Sequence, residues 1–474
     1  MSLKLLLVSH LLINLTSLYF LIRDGSRPYR IWAWMMTIFA LPVIGVCTFL
    51  LFGVNRRKRK LFDLKKISDD KQWASYLREY QASNPPQDAP LWSPGYQRLS
   101  RLIAQTAKSP LTYNNHIEFL TDGQETFDSI ISACQNAKEF VLVQFYIFGN
   151  GIIADQLALE FAKCIERNVS VYLLVDAIGS WSLSKSYQRR LRKMGVQVCQ
   201  FLPLRLGALG RTNYRNHRKI VVIDGHIGFT GGVNVDDKYI LGDHLGPWSD
   251  VQVKITGEAV NFLQFIFYCD WYFASGENLF KVIPIKTVNS EGTNAVQIVA
   301  SGPDSDHANI LQEVVNMIGS AQDYVYIANP YLIPNESLML ALRSAALSGV
   351  DVRIVIPHQS DYSVTTWAVR SYFEPLLVSG VKIYLHQPGF LHAKIILCDD
   401  AICSVGTANL DIRSFEQNFE VNAVIYDQST TLKLKQHFDG YMQQSQLIPT
   451  EEYMQRPRKD RIRENLARLV SPLM

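Results

Sequence analysis

The chain carries one eight-residue pattern twice: His217-Arg218-Lys219-Ile220-Val221-Val222-Ile223-Asp224 and His392-Ala393-Lys394-Ile395-Ile396-Leu397-Cys398-Asp399. Each copy runs on to a turn, Gly231-Gly232-Val233-Asn234 in the first and Gly406-Thr407-Ala408-Asn409 in the second. Positions 217/392, 219/394, 224/399, 231/406 and 234/409 are all 175 residues apart, so the register holds over eighteen residues. A register of that length marks a duplicated unit and predicts two similar lobes.

In both copies the histidine and lysine open an apolar, strand-like run, where side chains alternate between faces. His217 and Lys219 therefore share a face, as do His392 and Lys394. Asp224 and Asp399 come seven residues after their histidines, with the opposite parity, just before a turn. Their expected work is to anchor the strand end by hydrogen bonds and by pairing with a nearby cation.

Two imidazoles, two ammonium groups and the amides of Asn234 and Asn409 make a cationic, donor-rich site suited to a phosphate. One neutral imidazole can attack phosphorus while the other, protonated, delivers a proton to the leaving oxygen and later takes one from the incoming alcohol. This two-step exchange through phosphohistidine calls for no metal and no cofactor.

Around the motifs, helix and strand patterns alternate, which predicts an α/β fold. Helices are expected over 126–137, 152–167 and 184–194, and strands over 140–148, 169–175 and 197–202. The second lobe repeats the order, with helices over 309–321, 337–348 and 364–379 and strands over 324–329, 350–356 and 382–385. Gly195-Val-Gln-Val matches Gly380-Val-Lys-Ile at an offset of 185, so the first lobe has about ten extra residues, Leu204 to Asn213, before its motif. That insertion reads as a basic lip or a solvated loop. The basic helix 184–194 reads as a solvated face or a lipid dock. The aromatic helix 259–273 reads as core, with an acyl-chain groove as the alternative.

The amino terminus has a different character. Residues 31–53 form an uncharged run, roughly 35 Å long as a helix and enough for a bilayer core of about 30 Å. Residues 5–22 form a second apolar stretch. We expect a retained helical hairpin over 1–60, then a connector (61–114), lobe one (115–288), lobe two (289–448) and a basic amphipathic tail (449–474). The run Arg56-Arg57-Lys58-Arg59-Lys60 outweighs the three arginines of the hairpin loop, which predicts lobes on the cytoplasmic side of the cell membrane. Seven dispersed cysteines without CxxC spacing point to a reducing compartment and away from a metal site. The formal net charge of +4 is too small to identify a partner.

The doubled motif with its GGxN and GTAN turns resembles the phospholipase D superfamily. The segments Arg215 to Gly225 and Asn409 to Phe415 are similar to bacterial cardiolipin synthases, and the resemblance extends over nearly the whole chain. It implies two pseudo-twofold lobes of mixed sheet flanked by helices, sharing one active site. It also implies that His217 is the nucleophile and His392 the general acid and base, although the near-symmetry of the motifs leaves the reverse open. In the family an acidic residue downstream of each motif supports its histidine, which gives Asp250 to the first motif and Glu420 to the second.

The implied reaction joins two phosphatidylglycerol molecules into cardiolipin and glycerol. The implied partners are that lipid and an anionic bilayer, with no nucleic acid, and a homo-oligomer is possible. A phospholipase D hydrolase or a phosphatidyltransferase with another acceptor has the same signature. A non-catalytic membrane scaffold is the third reading, and both intact motifs speak against it.

Overall fold

The two copies of the pattern fall on corresponding strands of one 15-stranded mixed sheet. This computed structural model describes residues 12, 14–16, 19, 28–41, 45, 56–83, 93–203, 213–286 and 292–471. At the centre of the sheet, Thr112–Leu120 and Asn294–Ser301 pair antiparallel across an irregular register. From Thr112–Leu120 outward the first half runs Gln252–Gly257, Ile227–Gly231, Ile220–Ile223, Phe140–Phe145, Ser170–Asp176 and Gln197–Phe201. From Asn294–Ser301 outward the second runs Glu420–Tyr426, Ile402–Gly406, Ile395–Cys398, Tyr324–Ala328, Asp351–Pro357 and Lys382–His386, with Ser445–Leu447 added at the edge. The halves thus correspond strand for strand about the central pair.

While the edge strand Ser445–Leu447 is antiparallel, Phe140–Phe145, Ser170–Asp176 and Gln197–Phe201 are parallel to one another, as are Tyr324–Ala328, Asp351–Pro357 and Lys382–His386. Helices cross between them, as parallel pairing requires: Ile152–Glu166 and Lys185–Lys193 in the first half, Glu336–Leu347 and a split helix in the second. Phe140–Phe145 and Tyr324–Ala328 are buried at every position, which is why they read as unbroken apolar runs rather than as alternation. Each half has its own hydrophobic core.

Two expectations change. The single helix expected over 364–379 is two, Ser363–Arg370 and Phe373–Val378. Pro375 explains the break, since in a continuous helix its ring would meet the carbonyl of residue 371 and it has no N–H to give. In the aromatic helix Ala259–Ser275 every residue from Ala259 to Trp271 is buried, so it is core and not an acyl groove.

The chain divides into two compact units, Met1–Tyr76 with Leu204–Asn213, and Leu77–Pro203 with Tyr214–Met474. In the first, Pro28–Ala40 is helical, and the basic run 56–60 opens a 28-residue helix, Arg56–Ser83, that continues into the region expected as connector. Among the described residues no helix is long and apolar enough to cross a membrane. Most of the first expected span, residues 42–44 and 46–53 of the second, and residues 204–212 of the insertion lie outside the described residues.

Candidate active site

Each motif reaches its place by pairing with the opposite lobe. The amide of His217 donates to the carbonyl of Phe419 (2.9 Å), and the amide of Phe419 donates back to Arg215 (2.9 Å). In the other half the amide of His392 donates to the carbonyl of Ser249 (2.7 Å), and Phe390-Leu391 runs parallel to Trp248-Ser249. The residue after each acceptor is a buried acid, Glu420 or Asp250.

The carboxylates are therefore exchanged between the motifs. His217 Nδ1 lies 2.9 Å from Glu420 Oε2, and His392 Nδ1 lies 2.6 Å from Asp250 Oδ2. This corrects the expectation that each acid serves the motif upstream of it. The sequence order is right, but the strand pairing carries each acid across the lobe boundary.

The two pairs differ in their donors. Glu420 Oε2 accepts from His217 and from the Thr407 hydroxyl (2.5 Å), and Asn418 Nδ2 lies 3.3 Å from its other oxygen. Burial alone would raise its pKa, but the neighbouring His217, the ammonium of Lys219 and the Thr407 hydroxyl more than offset this and hold it below its ordinary value. The first-lobe residue equivalent to Thr407 is Gly232. A Cβ there would lie 2.1 Å from Asp250 Oδ1, so no hydroxyl-bearing side chain fits. Among the described residues Asp250 has only the amide of Val251 (2.8 Å) besides its histidine, and burial pushes it up to about 7.

These differences select opposite tautomers. Glu420 is ionised, so His217 donates from Nδ1 and keeps a lone pair on Nε2. Burial lowers the pKa of His217, which favours its neutral form. His392 Nδ1 faces Asp250, Lys394 Nζ (2.9 Å) and the Tyr239 hydroxyl (3.2 Å), all able to donate. The hydrogens that Lys394 and Tyr239 offer to Nδ1 favour the tautomer with the proton on Nε2. Burial and then the charges of Lys394 and Lys219 hold the His392 pKa well down.

The remaining motif residues lie around these pairs. Lys219 Nζ donates to the carbonyl of His217 (2.9 Å), and Lys394 Nζ donates to that of His392. Burial lowers the two ammonium groups to about 7 and about 8, and each lysine's charge also acts on the opposite histidine. Asn234 accepts from the amide of Ile147 (3.1 Å) and donates to Tyr239 (3.0 Å). Asn409 is buried, and its Oδ1 has no partner among the described residues.

Asp224 and Asp399 point away from the histidines, at the strand ends. Both adopt the left-handed backbone that Asp tolerates, with φ of 53° and 55°. Asp224 accepts from the amides of Lys138, Glu139 and Phe140 at 2.8–2.9 Å. Asp399 accepts from those of Gln322, Asp323 and Tyr324 at 2.8–2.9 Å and also from the Tyr96 hydroxyl at 2.7 Å. No cation pairs with either among the described residues, so amides and a phenol take the place of the expected charge.

Several residues at the site had no signal of their own in the sequence. The Tyr146 ring packs edge-on to His217 at 4.8 Å, and Tyr239, Trp248 and Phe390 surround His392 at 5.4–6.0 Å. Arg218 is buried against Asp270 (2.8 Å), an acid carried by the aromatic helix, and also reaches the carbonyl of Glu420 (3.1 Å). Arg215 pairs with Asp176 (3.2 Å). Behind Lys394 lies a small buried cavity lined in part by Ser404 and Asn422, which also hold the buried Glu313; burial raises that carboxyl to about 7. Tyr239 is five residues past Asn234 and Trp248 two before Asp250, but no pattern in the sequence separates them from core aromatics.

Residues 130–244 and 314–442 match the family described as cardiolipin synthase, PLD-like domain, and residues 12–53 match phospholipase D-nuclease N-terminal. The chain is 39% identical to a cardiolipin synthase of Geobacillus sp. strain WCH70, over 95% of this chain and 90% of that one. It is 38% identical, with the same coverage, to a cardiolipin synthase of Alkalihalophilus pseudofirmus. A crystal structure of phosphatidylserine synthase from Haemophilus influenzae shares the fold, with a TM-score of 0.61 and 16% identity over 80% of this chain and all of that one.

Proposed function

Because the chain belongs to the cardiolipin synthase family of phospholipase D-like proteins, we propose that it is a membrane phosphatidyltransferase making cardiolipin and glycerol from two molecules of phosphatidylglycerol. The observation that carries the mechanism is the unequal surroundings of the two Nδ1 atoms, a Glu420 that also accepts from Thr407 beside His217, and an acid, an ammonium and a phenol beside His392; these favour a lone pair on His217 Nε2 and a proton on His392 Nε2.

His217 Nε2 attacks the phosphorus of the first phosphatidylglycerol, and the bond to the glycerol headgroup oxygen breaks. His392 Nε2 gives its proton to that oxygen while Nδ1 draws the proton from Asp250, and glycerol leaves. The headgroup hydroxyl of a second phosphatidylglycerol then returns its proton to His392 as its oxygen attacks phosphorus. Cardiolipin departs and His217 is regenerated. Lys219 and Lys394 bear on the phosphate oxygens, where water exclusion strengthens their pull. Their pKa values, lowered by burial, rise when the anion binds, so substrate binding takes up protons near neutral pH.

Asp224 and Asp399 serve by fixing the strand ends. Asn234 orients Tyr239 against His392, and Asn409 completes the second turn. The chain is organised as a membrane hairpin (1–60), connector (61–114), lobes (115–288 and 289–448) and tail (449–474). The basic run 56–60 favours lobes on the cytoplasmic side.

Incubating the purified full-length protein with phosphatidylglycerol alone tests this reading by mass spectrometry. Cardiolipin with equimolar glycerol is the expected result. Phosphatidic acid as the main product would make the protein a hydrolase instead, and product only on adding another alcohol would change the acceptor.

A further inference from the structure

We propose that the carboxyl-terminal helix Arg458–Val470 docks the active-site side of the lobes on an anionic bilayer; this rests on the lipid reading above. One face of the helix packs on lobe two. Glu464 and Ala467 are buried, the Arg463 guanidinium lies 5.5 Å over Trp367, Arg468 lies 4.7 Å over Tyr372, and the Tyr372 hydroxyl meets Ser471 Oγ at 2.9 Å. The other face bares Ile462, Leu466 and Leu469, 59–77% exposed. At spacings of four and three they form one stripe along the helix.

Charge identifies the occupant of that stripe. The helix holds five basic and two acidic residues. A second copy meeting the stripe about a twofold axis would bring like-charged flanks together. An anionic bilayer offers the opposite charge, and a basic amphipathic helix lying in its interface buries such a stripe.

The position of the helix links it to the chemistry. The contacts 463/367 and 468/372 lay the terminal helix along the segment 363–372, which begins directly after Tyr362. Tyr362 is 70% exposed. Its neighbour Asp361 accepts from the Tyr331 hydroxyl (2.9 Å), and the Tyr331 ring approaches Phe390, which packs on His392. The strands Ser170–Asp176 and Asp351–Pro357 correspond at an offset of 181, which makes Trp181 the first-lobe equivalent of Tyr362. Trp181 is 86% exposed and follows Ser180, whose hydroxyl donates to the carbonyl of Tyr146 beside His217. One exposed aromatic from each lobe, two or three contacts from each histidine, sits at the rim as interfacial anchors do.

Full-length protein in phosphatidylglycerol vesicles, carrying the diazirine substitution Leu466→photo-leucine, tests the contact directly. A lipid adduct on irradiation is expected. A crosslink to a second copy, or reaction with water alone, would overturn the proposal. The triple variant Ile462→Ser, Leu466→Ser, Leu469→Ser should lose about fivefold or more of its turnover on vesicles but keep turnover of the same lipid in detergent micelles. Equal loss in both would remove the docking role. Absence of turnover in the unsubstituted protein would instead overturn the assigned reaction, while the crosslink would still report docking.

Discussion

His217 with Glu420 and His392 with Asp250 are built on matching strands, by matching backbone bonds across the lobe boundary, yet the carboxyl pKa is lowered in one pair and raised in the other. The difference traces to one pair of equivalent positions. Thr407 gives a hydroxyl to Glu420, whereas Gly232 leaves Asp250 without that donor and with room only for its own carboxyl group. A duplicated fold thus surrounds two copies of one motif with different donors, because two residues outside the motif set the two carboxyl groups apart. Pairs of titratable groups with pKa values pushed apart are how a single site runs acid and base chemistry together.

Removing each imidazole in turn breaks this comparison most directly. His217→Ala should abolish transfer, by about 10⁴-fold or more, and leave no covalent adduct. His392→Ala should let a phosphatidyl group collect on His217 when the leaving group needs no proton. Intact-mass analysis distinguishes the two, and an adduct on His392 would reverse the roles.

The crossed carboxyl groups come next. Glu420→Gln should slow adduct formation by roughly 10²–10⁴-fold, because an amide in its place no longer selects the tautomer with a free Nε2. Asp250→Asn should cost less, about 10–100-fold, and should fall on glycerol release, since burial already raises Asp250 toward its neutral form. Rapid-quench kinetics separates the steps. If Asp250→Asn impaired attack and Glu420→Gln impaired release, the crossing would have no functional meaning.

The structural aspartates should show a smaller effect, in stability. Asp224→Asn and Asp399→Asn each turn an amide N–H₂ against backbone donors, at about 2–3 kcal/mol. Asp399 also holds Tyr96, so its variant should have the lower melting temperature. The smallest effect belongs to Thr407→Val. With one donor fewer, the Glu420 pKa rises, more of it is protonated at low pH, and the acid limb of kcat/KM should move up by about one pH unit. An unmoved limb would mean that Thr407 does not set the difference between lobes.

Much of this was legible in the residues. Strand parity put each His and Lys on one face and each Asp at the turn, and alternating apolar patterns located helices and strands to within a few residues. The helix break at Pro375 was visible in principle, but the apolar pattern runs through it. The exchange of Asp250 and Glu420 was not legible, since each lies a few tens of residues after its own motif and pairs with a histidine 142 or 203 positions away. The aromatic rings around His392 resemble core residues until the fold shows what they enclose.

By itself the sequence determined the duplication, the two lobes, the face that each histidine shares with its lysine, and the strand-end place of each aspartate, because periodicity and register are local properties of a chain. Only the tertiary structure decided which acid pairs with which histidine. Tautomer and charge depend on the donors within about 3 Å of an atom, and here those donors come from opposite lobes.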